Sequence, residues 1–281
     1  PDTATRVASA TMLGVYADKI ENMIVASADL SNSDRTDGFL NKTKAFMKGD
    51  FTGQFFQAGV AELTMACVMN GMALHGGVIP ACGTFFVFSD YMKPAVRMAA
   101  LMELPVKFIW THDAFRVGED GPTHEPVEQE AQIRLMEKLK NHHGKNSVLV
   151  LRPADSIETT QCWKMAMENV DTPTALILSR QNIAQLPDGN DYAQAEKGAY
   201  IVAGSDENPD VTLVASGSEV STLVAGAALL REDGLKVRIV SCPSEGLFRT
   251  QPKEYQQAIL PCGEKIFGLT AGLPVNLEGL V

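Results

Sequence analysis

The fold is decided by the stretch Val106-Lys107-Phe108-Ile109-Trp110, an apolar run that leads directly into a polar loop from Thr111 to Pro126. Short apolar runs of this kind are typical of strands buried in a parallel sheet. The glycines and prolines of the loop keep it out of helix and sheet, while the strand gives it a rigid support. Its sixteen residues include two imidazoles and four carboxylates, which indicates catalysis or metal binding.

Further apolar runs lie on both sides of this strand and alternate with helical patterns. The pattern predicts strands at 24–26, 106–110, 148–151 and 175–178. It predicts helices near 5–20, 60–75, 89–103, 127–141 and 155–169, the last with Asp155 as its N-cap. We therefore expect a first α/β domain with a mainly parallel sheet flanked by helices.

A second, smaller α/β domain is predicted after a polar segment that is rich in turn-forming residues. The expected division is a first domain over 1–185, a linker over 186–197 and a second domain over 198–281. The second domain begins as a strand–helix–strand unit, and one further strand is expected at 265–269. Because few elements remain after this unit, we expect the domain to be truncated.

Composition excludes several classes of protein. The formal net charge is −10 for 281 residues, and no dense Lys and Arg patch is present, which argues against nucleic acid as a partner. No apolar run is long enough to cross a bilayer, and the first residues lack a secretion signal, so we expect no membrane partner and a cytoplasmic location. The five cysteines form no close pair and are expected to be reduced thiols.

One acid and three aromatic residues each allow two interpretations. Glu62 begins an apolar helix, where it either complements the helix dipole or is a buried acid able to exchange a proton with a ring nitrogen. Phe85, Phe88 and Tyr91 recur at intervals of three, so they form either ordinary core or one wall of a cofactor pocket.

The polar loop itself allows a metal site or a solvated surface segment as alternatives to a catalytic role. Suitable ligand atoms are present, but no spacing typical of a metal site fixes their residues, which are His112, Asp113, Asp120 and His124.

Three arginines stand at the edges of predicted elements. Arg6, Arg152 and Arg180 suit either a carboxylate or phosphate ligand in a cleft or ordinary surface ion pairs. The segment Ser216–Glu219 is interpreted as a helix start, since it lacks the spacing of a phosphate-binding loop.

Taken in order, several segments closely resemble the transketolase family, and the resemblance spans nearly the whole chain. The most specific is Gly118-Glu119-Asp120-Gly121-Pro122-Thr123-His124, which occurs together with Ser179-Arg180-Gln181-Asn182. The others are Ser27–Leu30, Ala58–Glu62, Thr84–Tyr91, Ala95–Leu101 and Thr111–Asp113. The resemblance implies a thiamine diphosphate enzyme that transfers a two-carbon ketol unit from a ketose phosphate to an aldose phosphate.

The resemblance also implies a role for each candidate residue. Glu62 matches the catalytic glutamate that protonates the aminopyrimidine ring of the cofactor, and Asp29 matches a position near the cofactor and the dimer contact. Phe85, Phe88 and Tyr91 match the aromatic pocket around that ring. The implied substrate contacts are Arg6, Ser33, His112 and Arg180 for the sugar phosphate, Asp120 for a hydroxyl and His124, also catalytic, for the donor's carbonyl end.

Family members also carry an N-terminal domain that holds the diphosphate through a divalent metal, Mg²⁺ or Ca²⁺, and this sequence has no Gly-Asp-Gly triplet of that domain. The resemblance therefore implies that the isolated chain is inactive and needs a diphosphate-binding domain or subunit, as a homodimer or a heterotetramer. The alternatives are deoxyxylulose-phosphate synthase, the β subunit of a 2-oxo acid dehydrogenase, and a non-catalytic assembly subunit.

Overall fold

The computed structural model describes residues 2–281, which contain two sheets that follow one another along the chain. The first sheet has six strands, all parallel, in the order β2-β1-β3-β4-β6-β5. These strands are β1 (Met23–Ser27), β2 (Phe55–Gln57), β3 (Ile79–Phe85), β4 (Lys107–Thr111), β5 (Leu149–Leu151) and β6 (Thr174–Leu178).

Seven helices belong to the same part of the chain. They are α1 (Thr5–Lys19), α2 (Ser31–Asp34), α3 (Asp37–Leu40), α4 (Glu62–His75), α5 (Ser89–Leu101), α6 (Gln129–Lys138) and α7 (Ser156–Glu168). The predicted N-cap of α7 is confirmed, because the Asp155 carboxylate accepts hydrogen bonds from the backbone N–H groups of Ile157 and Glu158 at 2.9 and 2.7 Å.

The second sheet has four strands in the order β10-β8-β9-β7. They are β7 (Tyr200–Ile201), β8 (Val211–Ala215), β9 (Val237–Ser241) and β10 (Ile266–Leu269), and only β7 runs antiparallel to its neighbour. Three helices accompany them: α8 (Glu219–Glu232), α9 (Glu245–Phe248) and α10 (Lys253–Ile259).

The predicted fold class, two successive α/β units with a larger parallel sheet first, is confirmed. The sequence patterns did not predict β2, β3 or β7. The residue bounds of the two domains and of the linker stay a prediction. Among residues 2–281, no helix combines the length and the apolar character that a membrane span requires.

Strand β4 shows why the first sheet is buried on both faces. All five of its residues are buried. Phe108 and Trp110 pack into one apolar cluster with Met92 of α5, while Ile109 packs into the other with Trp163 of α7. Successive side chains of a strand point to opposite faces, so each face needs its own cover of helices.

Because all six strands run in the same direction, their carboxyl ends lie along one edge of the sheet. The loops after β1, β3, β4, β5 and β6 leave from this edge and carry most of the residues singled out from the sequence. In open α/β sheets this is the edge at which ligands bind.

Candidate active site

The loop after β4 begins with a buried histidine in a strained backbone conformation. His112 has φ +62° and is 2% exposed, and its Nδ1 lies 2.9 Å from the Thr111 hydroxyl. Its Nε2 lies 3.6 Å from Asp120 Oδ2. Burial, and then the positive charges of Arg6 and Arg180, lower the pKa of His112 to about 3. The imidazole is therefore neutral at pH 7 and can offer one N–H donor.

Three aromatic side chains form a stack beside this imidazole. The ring centroids of Phe85 and Phe88, and of Phe88 and Tyr91, are each 5.9 Å apart with nearly parallel planes. Phe85 also lies against His112, with ring centroids 3.7 Å apart. The rings of His124 and Phe88 form a T-shaped pair with centroids 5.3 Å apart. Tyr91 is 60% exposed, so the stack has one buried end and one open end.

The stack is built from two kinds of element. Phe85 is the last residue of β3, and Phe88 ends a single 3₁₀ turn that leads into α5, where Tyr91 lies in the first turn. The three residues therefore stack on one another without belonging to one helix.

Glu62 is the first residue of α4 and is buried, with 8% of its surface exposed. Its carboxylate forms no hydrogen bond or ion pair with any residue in 2–281. Glu62 follows β2. Only β1 lies between β2 and β3 in the sheet, so these two strands are roughly 10 Å apart at about 4.8 Å per strand. The acid and the aromatic stack therefore lie on the same edge of the sheet.

A group of positive charges lies near His112. Arg6 donates from Nη1 to the Ser33 carbonyl oxygen at 2.6 Å, while its buried Nε has no hydrogen-bond partner within residues 2–281. Arg35 likewise has a buried Nε with no partner in that range. Burial first, and then the charges of Arg35 and Arg180, lower the pKa of Arg6 to about 10.

Acids compensate these three guanidinium groups only weakly. Arg180 approaches the exposed carboxylate of Glu119 at 3.9 Å, and Arg35 approaches Asp37 at 3.8 Å. Arg6 forms no ion pair with any residue in 2–281. An excess of poorly neutralised guanidinium beside a neutral imidazole is suited to an anion such as a phosphate.

A buried acid stabilises the loop that contains Ser33. Asp34 accepts hydrogen bonds from the Ser27 hydroxyl at 2.6 Å and from the backbone N–H and hydroxyl of Thr36 at 2.9 and 2.7 Å. Burial raises the pKa of Asp34 to about 6. At the two ends of the loop, Asp29 and Arg35 adopt left-handed φ values of 64° and 66°.

The structure brings most of the predicted site residues together. Arg6 and Arg180 lie near His112, and Arg6 bonds to the Ser33 carbonyl. In the following loop, Asp120 faces the His112 imidazole and His124 lies against Phe85 of the aromatic stack. Asp29 lies on the same edge but is exposed and contacts none of the other candidates through a hydrogen bond or ion pair in residues 2–281.

The structure adds to the sequence interpretation of the arginines. Arg152 lies in no open cleft, because it is completely buried among the carboxylates of Asp113, Glu130 and Glu219. Arg35 is not predicted from the sequence; it follows α2, and no strand end marks it as a candidate.

The fold and the site together define a class of protein. A parallel α/β sheet carries, on the edge where its strands end, an aromatic stack, a buried acid and a cationic pocket, which is the arrangement of an α/β enzyme domain that binds an aromatic and anionic ligand.

Comparison with known proteins places the chain within this class. Residues 2–185 match the family model described as "Transketolase, pyrimidine binding domain", and residues 198–281 match the "Transketolase-like TK C-terminal domain". The chain belongs to the transketolase family.

Curated relatives and solved structures agree. The chain is 45% identical to the transketolase of Bacillus subtilis and 46% identical to that of Halalkalibacterium halodurans, over 93% and 92% of its length. It spans only 38% and 37% of those two proteins.

Among solved structures, the transketolase from Leishmania mexicana superposes with a TM-score of 0.88 at 38% identity, covering 97% of this chain and 40% of that one. A structure described as "Split gene transketolase, inactive beta4 tetramer" superposes with a TM-score of 0.72 at 25% identity, covering 95% of this chain and 79% of that one.

Proposed function

We propose that this chain supplies the pyrimidine-binding and phosphate-binding half of a transketolase site, which transfers a two-carbon ketol unit from a ketose phosphate to an aldose phosphate. The observation that carries this proposal is the poorly neutralised guanidinium of Arg6 and Arg180 near His112, with Arg35 near Arg6, while Phe85 of the aromatic stack packs against the His112 ring. The stack fits the planar ring of a cofactor, and the guanidinium groups fit the phosphate of a substrate that binds beside it.

The residues present fit the thiamine diphosphate that the family uses. The stack of Phe85, Phe88 and Tyr91 offers flat apolar surface with an open end, which suits a planar ring. Glu62, buried and without a partner in residues 2–281, is placed to hold a proton at a ring nitrogen. When bound, thiamine diphosphate supplies a carbanion-stabilising centre for the ketol transfer.

The substrate contacts follow from the same geometry. We assign the sugar phosphate to Arg6, Arg180, His112 and the Ser33 loop, with Arg35 as a further contact. Asp120, whose Oδ2 lies 3.6 Å from His112 Nε2, would accept a hydrogen bond from a substrate hydroxyl. His124, which lies against the aromatic stack, would face the donor's carbonyl end.

The divalent metal and the diphosphate are assigned to a separate domain or subunit. Residues 2–281 contain no group of three or more His, Cys, Asp or Glu side chains arranged to hold a metal ion. We propose that a diphosphate-binding partner brings Mg²⁺ or Ca²⁺, in a homodimer or a heterotetramer located in the cytoplasm. The similarity to a split-gene transketolase supports a separately supplied half.

Reconstitution tests this function. The chain is mixed with a transketolase diphosphate-binding domain, thiamine diphosphate, Mg²⁺, a ketose phosphate and an aldose phosphate, and ketol transfer is measured. Turnover is expected in the complete mixture, and Glu62→Gln is expected to reduce it by about 10²-fold or more because a general acid–base contribution is lost.

Glu254→Gln is the matched control, because Glu254 is also an acid in a first helical turn but is exposed on α10. It should leave turnover unchanged. Absence of turnover in the complete mixture, or full activity of Glu62→Gln, would contradict the proposed function.

A further inference from the structure

The completely buried Arg152 connects the two parts of the chain. It follows β5 of the first sheet, and its Nη2 donates to Asp113 Oδ2 at 2.8 Å and to Glu219 Oε1 at 3.0 Å. Its Nη1 donates to the Ser216 carbonyl oxygen at 3.0 Å and pairs with Glu219 Oε2. Asp113 belongs to the first sheet's loops, whereas Ser216 lies in the turn between β8 and α8 and Glu219 is the first residue of α8.

The same turn reaches Asp113 directly. The Ser218 hydroxyl donates to Asp113 Oδ2 at 2.8 Å. Gly217 has φ +62°, and a Cβ there would lie 2.6 Å from Arg152 Cγ, so the turn approaches the arginine more closely than a side chain would allow. Asp113 Oδ2 thus accepts one hydrogen bond from each part of the chain, from Arg152 in the first and from Ser218 in the second.

Asp113 is the neighbour of the strained His112. A histidine with φ +62° persists only where its surroundings hold it in place, since the left-handed conformation is unfavourable for a non-glycine residue. Phe85 packs against its ring, and the Asp113 carboxylate anchors the chain at the next residue. The anchor depends on Ser218 and Glu219, which lie in the second part of the chain.

We propose that the second domain positions the phosphate-binding imidazole: Ser218 and Glu219 fix Asp113, with Arg152 as the link, and thereby hold His112 in its binding conformation. Ser218 and Glu219 are positioning residues that act through Asp113 and do not touch the ligand. The proposal rests on the proposed function only for the identity of the ligand as a phosphate.

Another ion pair between the two parts of the chain serves as the control. Glu245 of α9 is buried and pairs with Lys138 of α6 at 3.1 Å and with Arg249 at 2.6 Å. It has no ion pair or hydrogen bond with Arg152 or Asp113. Its removal should loosen the packing between the domains without releasing His112.

The experiment follows the His112 imidazole by NMR in the complete 281-residue chain. The chain has five histidines, and His112→Gln identifies the signal. The imidazole shift is recorded from pH 5 to pH 8, and inorganic phosphate is titrated at pH 7. Ser218→Ala, Glu219→Gln and Glu245→Gln are compared, with far-ultraviolet circular dichroism to verify folding.

Wild-type His112 is expected to stay neutral across this pH range. In Ser218→Ala and Glu219→Gln the released imidazole gains solvent, so its protonation midpoint should rise into the range above pH 5 and phosphate should bind at least threefold more weakly. Glu245→Gln should keep the wild-type behaviour. Should Glu219→Gln fail to fold, Ser218→Ala, which removes a single hydroxyl, decides the matter.

The positioning role is overturned if folded Ser218→Ala leaves both the titration and the phosphate affinity unchanged, or if Glu245→Gln alters them equally. If phosphate fails to bind wild type while Ser218→Ala still shifts the His112 midpoint, the positioning role is upheld and the phosphate assignment is overturned.

Discussion

Two arginines on the same edge of the sheet show opposite uses of one side chain. Arg152 is buried beside the carboxylates of Asp113, Glu130 and Glu219, all within ion-pair distance. Arg6, in the pocket after β1 and β4, bonds only to the neutral Ser33 carbonyl, forms no ion pair within residues 2–281, and has Arg35 and Arg180 as well as Asp120 and Asp34 in its neighbourhood. The Nε atom of each lacks a partner within residues 2–281, so the difference lies in the carboxylates.

The comparison distinguishes an arginine that stabilises the fold from an arginine that remains able to bind an anion. A guanidinium that is neutralised by three acids has no capacity left for a ligand, and breaking such a buried set is costly. A guanidinium without an acid keeps its attraction for an anion, and its unfavourable surroundings are relieved when the anion binds. Charge balance, more than position along the chain, therefore distinguishes the two roles.

The largest expected effect is the loss of the balanced arginine. Arg152→Met should reduce the free energy of unfolding by about 3–5 kcal/mol, because three carboxylates would be left in a buried site without their cation. Arg6→Met, the matched change in the unbalanced pocket, should leave stability unchanged or slightly increased. Urea unfolding of both variants at pH 7 measures this difference. Equal losses of unfolding free energy would show that the two arginines do not differ in their contribution to stability.

A buried acid without an ion pair gives the next largest effect. The hydrogen-bond donors to Asp34, Ser27 and Thr36, are all neutral, and burial raises its pKa to about 6 from an ordinary 3.8. A raised carboxyl pKa favours the protonated folded state, so this contribution to stability is complete below about pH 4 and is lost as the pH rises through 6. The loss is about 3 kcal/mol for a shift of about two units.

Asp34→Asn isolates this contribution, because the other buried acids titrate equally in both proteins. The free energy of unfolding of wild type, relative to the variant, should fall by about that amount between pH 4 and pH 7. A difference that is constant with pH, measured by urea unfolding at several pH values, would show that Asp34 is not neutralised by folding.

The smallest expected effect concerns Arg35, which lies at the rim of the pocket. Its replacement by Leu should weaken inorganic phosphate binding by roughly three- to tenfold, since one of three guanidinium groups is lost. Lys253→Leu, which removes an exposed cation on α10, is the control and should change the affinity by less than twofold. If the two changes weaken phosphate binding equally in a calorimetric titration, Arg35 contributes only through the net charge of the protein and does not contact the phosphate.

Much of the fold was predictable because apolar runs mark buried strands. Strand β4 was evident from 106–110, and Asp155 was evident as a helix cap. Strand β3 is not evident from the sequence because Pro80 and Gly83 interrupt its apolar pattern, and it becomes a strand only through its pairing with β1 and β4.

The site was predictable to the extent that it lies within short segments. The loop from Thr111 to His124 and the aromatic residues at 85, 88 and 91 are each local features. The bond between Ser218 and Asp113 joins positions 105 residues apart, and no spacing along the chain indicates it. The burial of Arg152 depends on such bonds, so only the structure separates it from Arg6.

The central claim, that the poorly neutralised pocket around Arg6 and His112 receives the phosphate of a sugar, is tested most directly by calorimetry on the chain with a ketose phosphate and its unphosphorylated counterpart. The phosphorylated sugar should bind at least tenfold more tightly, and Arg6→Met should abolish that advantage. Equal binding of the two sugars, or an advantage that survives Arg6→Met, would contradict the claim.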